Sequence, residues 1–145
     1  MNQPLIDALN TLLADYQLFY QRLRGYHWNV KGKMFFQLHG KFEELYLFAS
    51  EKADELAERV LTIGGTPTST MAGYLRYARL KEDESNPAAE TMVQRLIQDF
   101  DFLNGDMRKI AAQASDAGDE GTLNMLSAIA DEQEKMAWML KAYLG

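Results

Sequence analysis

The sequence predicts an all-α protein, a four-helix bundle with one long connection in the middle of the chain. Three observations predict this fold class. Apolar residues recur at helical spacing in four long segments. The first and last connections between these segments are short, whereas the middle one extends from Gly64 to Asn86. With 145 residues, 47% of them hydrophobic, the chain can bury a proper core, and residues 1–145 are expected to form a single domain.

The first two helices are predicted from their apolar faces and from the residues that flank them. A helix should begin at Asn2 or Gln3, because Pro4 suits the first helical position. Its inner face is expected to contain Leu5, Leu9, Leu12, Leu13, Tyr16, Phe19 and Leu23. After a break at Gly32, the second helix should run from about Met34 to Ile63, where a glycine pair ends it. Its inner face is expected to include Leu38, Phe42, Leu45, Phe48, Ala49, Leu56 and Val60.

The second half of the chain predicts one short and two long helices. The crossover is polar and rich in turn-forming residues except for Met71 to Leu80, which could hold a short helix. Ser85-Asn86-Pro87 is expected to cap the third long helix. Its inner face should contain Met92, Val93, Leu96, Phe100, Leu103, Met107 and Ile110. Asp116-Ala117-Gly118 is a tight connection, and the fourth long helix should run from about Asp119 to Tyr143. It is expected to bury Leu123, Leu126, Ile129, Ala130, Ala137 and Leu140.

The lengths of the connections predict the topology. Short links make an antiparallel hairpin of the first and second helices, and another of the third and fourth. The crossover of 23 residues can travel the length of the bundle, because an extended chain covers about 3.3 Å per residue. A bundle with one long crossover has the ferritin-like arrangement rather than a simple up-and-down one.

Composition excludes several classes of function. The chain has no cysteine, which excludes disulfides, thiol catalysis and thiolate metal sites. It has no apolar run approaching the roughly 20 residues of a membrane span. The N-terminal residues do not resemble a secretory signal, so a cytoplasmic location is expected. The net charge of −6 and the absence of a basic tail argue against nucleic acid as a partner.

The candidate metal-ligating residues are His27, His39, Asp54 and Glu58, and the first two are the only histidines. Mixed imidazole and carboxylate ligands suit iron and related divalent metals. The two histidines lie on either side of a hairpin connection and can converge, whereas the two acids share a face at i and i+4. His39 and Asp54 lie on one predicted helix and are therefore roughly 22 Å apart. A single metal ion can bind all four residues only if two chains share the site.

Simpler interpretations of the same residues remain open on chemistry alone. A histidine in a bundle is more often a core or surface residue, and an Asp-x-x-x-Glu pair is usually solvated charge that Arg59 could partly screen. A centre within one subunit needs Glu-x-x-His on two helices. Positions 24 and 36, three residues before the histidines, are Arg and Phe. The usual single-subunit centre is therefore excluded.

Several runs of residues resemble the signature of the Dps family, the DNA-binding proteins from starved cells. They are His27-Trp28-Asn29-Val30-Lys31-Gly32, Phe35-Phe36-Gln37-Leu38-His39, Phe42, Tyr46, Asp54-Glu55-Leu56-Ala57-Glu58-Arg59 and Gly64-Gly65-x-Pro67. Trp138 and the short helix in the crossover also fit, so the resemblance extends over the whole chain.

The resemblance implies a mini-ferritin with ferroxidase activity and iron as its metal. Such a protein is a hollow dodecamer built from two-fold dimers, oxidises Fe²⁺ with hydrogen peroxide as the favoured oxidant, and stores ferric mineral. His27 and His39 match the imidazole ligands, and Asp54 and Glu58 match the carboxylates from the partner subunit. Glu43 matches a position that often helps to hold a second, weaker iron.

Three further features carry weaker expectations. The resemblance places acidic entry pores at the start of the last helix, where this chain has Asp116, Asp119 and Glu120; charge near a helix N-terminus would also explain them. Trp28 could take up a stray oxidising equivalent or simply pack. The apolar segment Met71 to Leu80 should cover a two-fold contact. A DNA-coating protein and a purely structural shell are the competing functions.

Overall fold

The computed structural model describes residues 2–145, which form five helices and no strand. The helices are α1 (Gln3–Asn29), α2 (Phe35–Thr62), α3 (Met71–Tyr77), α4 (Ala89–Asp116) and α5 (Glu120–Leu144). The pairs α1–α2 and α4–α5 pack as two hairpins, and the crossover that carries α3 connects them. The ferritin-like bundle with a short helix in its crossover is therefore confirmed.

The predicted helix ends are correct except at α4. The Asn2 side chain caps α1 by accepting a hydrogen bond from the Leu5 amide at 3.1 Å. At the start of α4, however, Ala88 occupies the N-cap position and provides no side-chain hydrogen bond. The expected cap residue Ser85 instead donates its amide and hydroxyl hydrogen bonds to Asp83, at 2.9 and 2.5 Å. The prediction of a Ser85-Asn86-Pro87 cap was wrong because Asp83, two residues earlier, binds the serine in a local turn.

The predicted inner faces form the hydrophobic core. All the apolar residues expected there are buried except Phe48 and Leu123, which are half-buried and pack against it. A buried polar chain also crosses the bundle. The Tyr16 hydroxyl donates to Gln133, whose amide donates to Asn104 at 2.7 Å, so α1, α5 and α4 are linked by satisfied hydrogen bonds. Between residues 2 and 145, every helix is too short or too polar to cross a membrane.

One buried and one half-buried carboxylate hold the crossover against the bundle. Asp15 of α1 is fully buried and accepts hydrogen bonds from the amides of Arg79 and Leu80, at 2.6 and 2.9 Å. The Arg79 guanidinium adds an ion pair to Asp15 at 2.9 Å. Farther along the crossover, Asp83 accepts a hydrogen bond from Tyr26 at 2.9 Å and pairs with Arg95 of α4. These contacts fix the path of the crossover beside α1.

Candidate metal centre

The two histidines meet at the α1–α2 connection. His27 lies in the last turn of α1 and His39 in the second turn of α2. Gly32, with φ of 116°, makes the turn that returns the chain between them. The imidazole rings are stacked, with centroids 3.8 Å apart and an angle of 12° between their planes. The convergence expected from the sequence is therefore present within one chain.

Reciprocal hydrogen bonds orient these two rings. The Nδ1 atom of His27 is 2.6 Å from the carbonyl oxygen of His39, and the Nδ1 atom of His39 is 2.8 Å from the carbonyl oxygen of His27. A carbonyl oxygen only accepts, so each Nδ1 must carry the proton and donate it. In the neutral ring this leaves the lone pair on Nε2, the tautomer that a metal ion requires. The bond to His27 also satisfies a carbonyl at the end of α1, where no helical donor follows.

Aromatic side chains enclose the imidazole pair on both sides. The Phe35 ring stacks on His39 with centroids 4.9 Å apart, and the Tyr46 ring meets His27 edge to face at 5.3 Å. His27 is only 8% exposed, whereas His39 is half-buried. The rings are thus held by contacts as well as by hydrogen bonds, and their freedom to rotate is small.

Glu43 lies one turn after His39 and is exposed. Its Oε1 atom accepts a hydrogen bond from the Tyr46 hydroxyl at 3.3 Å. Burial raises the pKa of the Tyr46 phenol above its usual value, and the negative charge of Glu43 adds to the rise. The Glu43 carboxylate is therefore close to the imidazole pair and retains an oxygen for a cation.

Asp54 and Glu58 lie near the other end of α2, well away from the histidines. Both are exposed, and among the described residues neither carboxylate has an ion-pair or hydrogen-bond partner. His39 and Asp54 belong to one unbroken helix and are separated by roughly 22 Å. No group of three or more metal-ligating side chains comes together within residues 2–145 of a single chain. The chain thus presents two separate half-sites.

Arg59 does not screen the acidic half-site, in contrast to the simpler interpretation of the sequence. Its guanidinium points to the start of α5, where it pairs with Asp119 at 2.7 Å and donates to Thr122 at 2.9 Å. A Cβ atom at Gly121 would lie 2.5 Å from this guanidinium, so a larger residue there would displace the Arg59 side chain. The charges of Asp54 and Glu58 are consequently left for another cation.

The three acids expected to line an entry pore differ in their surroundings. Asp119 caps α5 through the Thr122 amide at 3.0 Å. Burial opposes ionisation of Asp119, but the hydrogen bonds from Thr122 and the Arg59 guanidinium outweigh it and lower the pKa of this carboxyl. Asp116 and Glu120 are exposed. Asp119 therefore has a structural role in α5, and only Asp116 and Glu120 present free carboxylates there.

Comparisons with known proteins match nearly the whole chain. The model of the ferritin-like domain matches residues 6–145. General stress protein 20U of Bacillus subtilis (strain 168) is 46% identical over 145 residues, which is 100% of each chain. The DNA protection during starvation protein of Brevibacillus brevis is 46% identical over 144 residues, covering 99% of this chain and 97% of the relative.

A solved structure has the same fold over nearly the whole chain. The crystal structure of the Dps protein from Vibrio cholerae O1, a member of a broad superfamily of ferritin-like diiron-carboxylate proteins, superposes with a TM-score of 0.96. The two sequences are 47% identical, and the match covers 99% of this chain and 90% of that one.

Proposed function

Because the chain belongs to the Dps family of ferritin-like proteins, we propose that it oxidises Fe²⁺ at centres shared by two subunits. The ferric product is then sequestered inside a hollow homo-oligomer, a dodecamer built from two-fold dimers. In this role the protein is a ferroxidase that removes iron and hydrogen peroxide together. One observation carries the proposal: two imidazoles with free Nε2 atoms lie at the α1–α2 connection, and two carboxylates without a partner among the described residues lie near the other end of α2. The two half-sites are too far apart to bind one metal ion within one chain.

A two-fold axis across α2 would complete two centres at once. If the partner's α2 runs antiparallel, its carboxylates reach the imidazole pair of the first chain, and symmetry makes the second centre identical. Leu47 lies about midway along α2 between His39 and the acidic pair, and it is 60% exposed. An open groove of about 560 Å³ beside Asp54 is lined by Leu47 and Tyr74. The exposed Leu47 side chain and this groove mark where the axis would pass.

The apolar side chains of α3 extend the same surface. Met71 is 72% exposed and Leu75 is 55% exposed, although each lies in a helix that packs against α1. Apolar surface of this extent stabilises an association when a partner removes it from water. The segment Met71 to Leu80 is therefore proposed to cover the two-fold contact.

The chemistry of the ligand set fits iron oxidation. Hard carboxylates stabilise Fe³⁺ more than Fe²⁺, so Asp54 and Glu58 of one chain would favour loss of an electron from the metal. His27 and His39 of the other chain would orient the ion, and Glu43 would help to hold a second one. Because only a few protein ligands would surround the metal ion, coordination positions would stay open for a peroxide molecule. Hydrogen peroxide is the proposed oxidant, since it accepts two electrons and leaves as water.

The direct test follows Fe²⁺ oxidation under anaerobic conditions after addition of hydrogen peroxide, and separately under oxygen. Light scattering measures the size of the assembly in the same samples. We expect fast oxidation with peroxide, slower oxidation with oxygen, and ferric iron that co-migrates with a dodecamer. If the dodecamer oxidised iron no faster than buffer with either oxidant, the ferroxidase proposal would be wrong and a purely structural shell would remain as the function.

A further inference from the structure

One continuous stripe of residues runs along the surface of α2. Its members are alternately four and three residues apart, which keeps them on one face of the helix and is typical of helices that pack side by side. This α2 stripe consists of Phe36, Gly40, Glu43, Leu47, Ser50, Asp54, Ala57 and Leu61. All are exposed except Ala57, which is half-buried. The part from Leu47 to Ala57 lines the open groove of about 560 Å³, so this face has the form of a contact surface.

The α2 stripe is complementary to itself when a second copy runs antiparallel. Its positions form pairs at equal distances on either side of a point between Phe48 and Ala49. The pairs are Phe36 with Leu61, Gly40 with Ala57, Glu43 with Asp54, and Leu47 with Ser50. A two-fold axis at that point brings the two members of every pair together, one from each chain. The register that joins the apolar ends therefore also brings Glu43 to the partner's Asp54, as the shared centre requires.

The two apolar ends of the stripe lie beside the two half-sites. Phe36 is 83% exposed, and its ring meets the Phe35 ring edge to face at 5.4 Å. The Phe35 ring in turn stacks on His39. Leu61, which is 59% exposed, lies one turn after Glu58 on the same helix. Contact between Phe36 of one chain and the partner's Leu61 would therefore cover the outer end of each centre.

Gly40 has no structural reason within its own chain. It lies inside α2, its φ is not positive, and a Cβ atom added to it would meet no heavy atom of the described residues within 4 Å. A glycine inside a helix is destabilising relative to alanine. The pairing of Gly40 with the partner's Ala57 supplies a reason, because two small residues opposite one another let two helices approach closely.

We propose that two copies of this chain pack through the α2 stripe in this one register, and that Phe36 and the partner's Leu61 close each shared centre. This inference rests on the two-fold centre of the proposed function. The apolar pair would keep water from one side of the metal ion, and the attraction between the ion and its carboxylates is stronger where water is excluded. Gly40 is a positioning residue, since it sets the distance between the two helices and thus between the half-sites.

Cross-linking tests the register without iron, and the native chain has no cysteine to interfere. Phe36 and Leu61 of one chain are about 38 Å apart along α2, whereas a disulfide needs Cα atoms within about 7 Å. A chain that carries both Phe36→Cys and Leu61→Cys can therefore form a disulfide only with its partner. After mild oxidation we expect covalent dimers in a denaturing gel without reductant, and mass spectrometry should identify the linked peptides. Each single variant is a matched control and should stay uncross-linked.

A second variant tests the close approach at Gly40. Gly40→Leu places a side chain where one chain is open but the proposed dimer is not. It should retain native helix content in circular dichroism and weaken the binding of Co²⁺, read from its visible absorption, by about tenfold or more, because overpacking disfavours the dimer that completes the site. The matched control is Gly105→Leu in α4, where an added Cβ atom also meets nothing within 4 Å. Its Co²⁺ affinity should be native.

Two results would overturn the inference. One is the absence of the cross-link in the double variant, or its appearance in a single variant. The other is a native Co²⁺ affinity in Gly40→Leu, or an equal loss in Gly105→Leu. Failure of the proposed function is distinguishable from both. In that case the double variant would cross-link although the native protein did not oxidise Fe²⁺, whereas failure of the inference alone leaves that oxidation intact.

Discussion

Complementation between two damaged subunits tests the shared geometry most directly. His27→Ala removes one imidazole from the histidine half-site, and Asp54→Ala removes one carboxylate from the acidic half-site. Either variant alone should oxidise iron at a rate near zero, because every centre in it lacks a ligand. The Asp54 side chain is exposed, and His27 lies in the last turn of α1, away from the centre of the bundle. The bundle should therefore remain folded in each.

The expected recovery follows from counting centres. In a mixed dimer, the chain without His27 and the chain without Asp54 meet with both lesions in one centre, so the other centre is intact. A mixed dimer should thus recover about half of the native activity. Random pairing of equal amounts makes half of the dimers mixed, so the whole sample should reach about one quarter.

The assay combines iron oxidation with verification of the subunit mixture. The two variants are co-assembled with different affinity tags, mixed dimers are identified by native mass spectrometry, and ferric iron is followed by absorbance. The matched control mixes His27→Ala with His39→Ala. Both substitutions then remove a histidine, so each centre of a mixed dimer lacks one imidazole ligand. Activity should therefore stay near zero. The shared geometry is refuted if verified mixed dimers show no recovery, or if the control recovers equally.

Further predictions concern stability, assembly and binding. Hydrogen bonds, first of all from Ser85, lower the pKa of Asp83 to about 2 in the folded protein. Asp83 therefore stabilises the fold at a pH above the pKa that this carboxyl has in the unfolded chain. That stabilisation should be lost as the pH falls from about 4 towards 2. Chemical denaturation should show that loss in the native protein and a flatter profile in Asp83→Asn; parallel profiles would contradict it. Asp15→Ala should lower the free energy of unfolding by about 3 kcal/mol, because two crossover amides and the Arg79 guanidinium lose their partner. If urea titrations showed no change beyond error, water would have replaced the carboxylate. Leu47→Asp, or polar residues in place of Tyr74 and Leu75, should weaken the dimer, as measured by sedimentation velocity. If such a variant kept both the native assembly size and the native thermal stability, the two-fold axis would pass elsewhere. Plasmid DNA should not be retarded at moderate salt and neutral pH, since the net charge is −6; a shift that weakens steeply with added salt would reveal a basic surface patch.

The sequence predicted the fold well because helical periodicity is a local signal. Leu9, Phe42 and Leu103 recur at the spacing of a buried helix face, and each is fully buried in the bundle. The start of α4 was missed because the partner that captures Ser85 is Asp83, which in turn is held by Tyr26, far away along the chain. Contacts of that kind depend on tertiary packing rather than on local pattern.

The convergence of the two histidines was predictable from the sequence, but the orientation of their rings was not. Spacing alone placed His27 and His39 across a hairpin from one another. No pattern shows that each Nδ1 faces the carbonyl of the other histidine, since this depends on how two backbones approach. The pairing of Arg59 with Asp119, 60 positions away, could not be predicted from the sequence either, and it argues against the alternative that Arg59 partly screens the acidic pair. The position of Tyr46 against His27 could have been suspected, because a residue seven positions after His39 lies on the same helix face.

In the proposed dimer, the uninterrupted course of α2 between His39 and Asp54 sets the distance between the two half-sites of each chain. One extra residue between His39 and Asp54 would turn the carboxylates by about 100° around the helix axis and shift them by about 1.5 Å. Symmetry would apply the same error to both centres of a dimer, with no intact copy left to compensate. A substitution on the outer surface of α2 changes one contact, whereas a single-codon insertion there would change the distance and the angle between the two half-sites. Variation within this stretch should therefore appear as exchange of residues and not as change in their number.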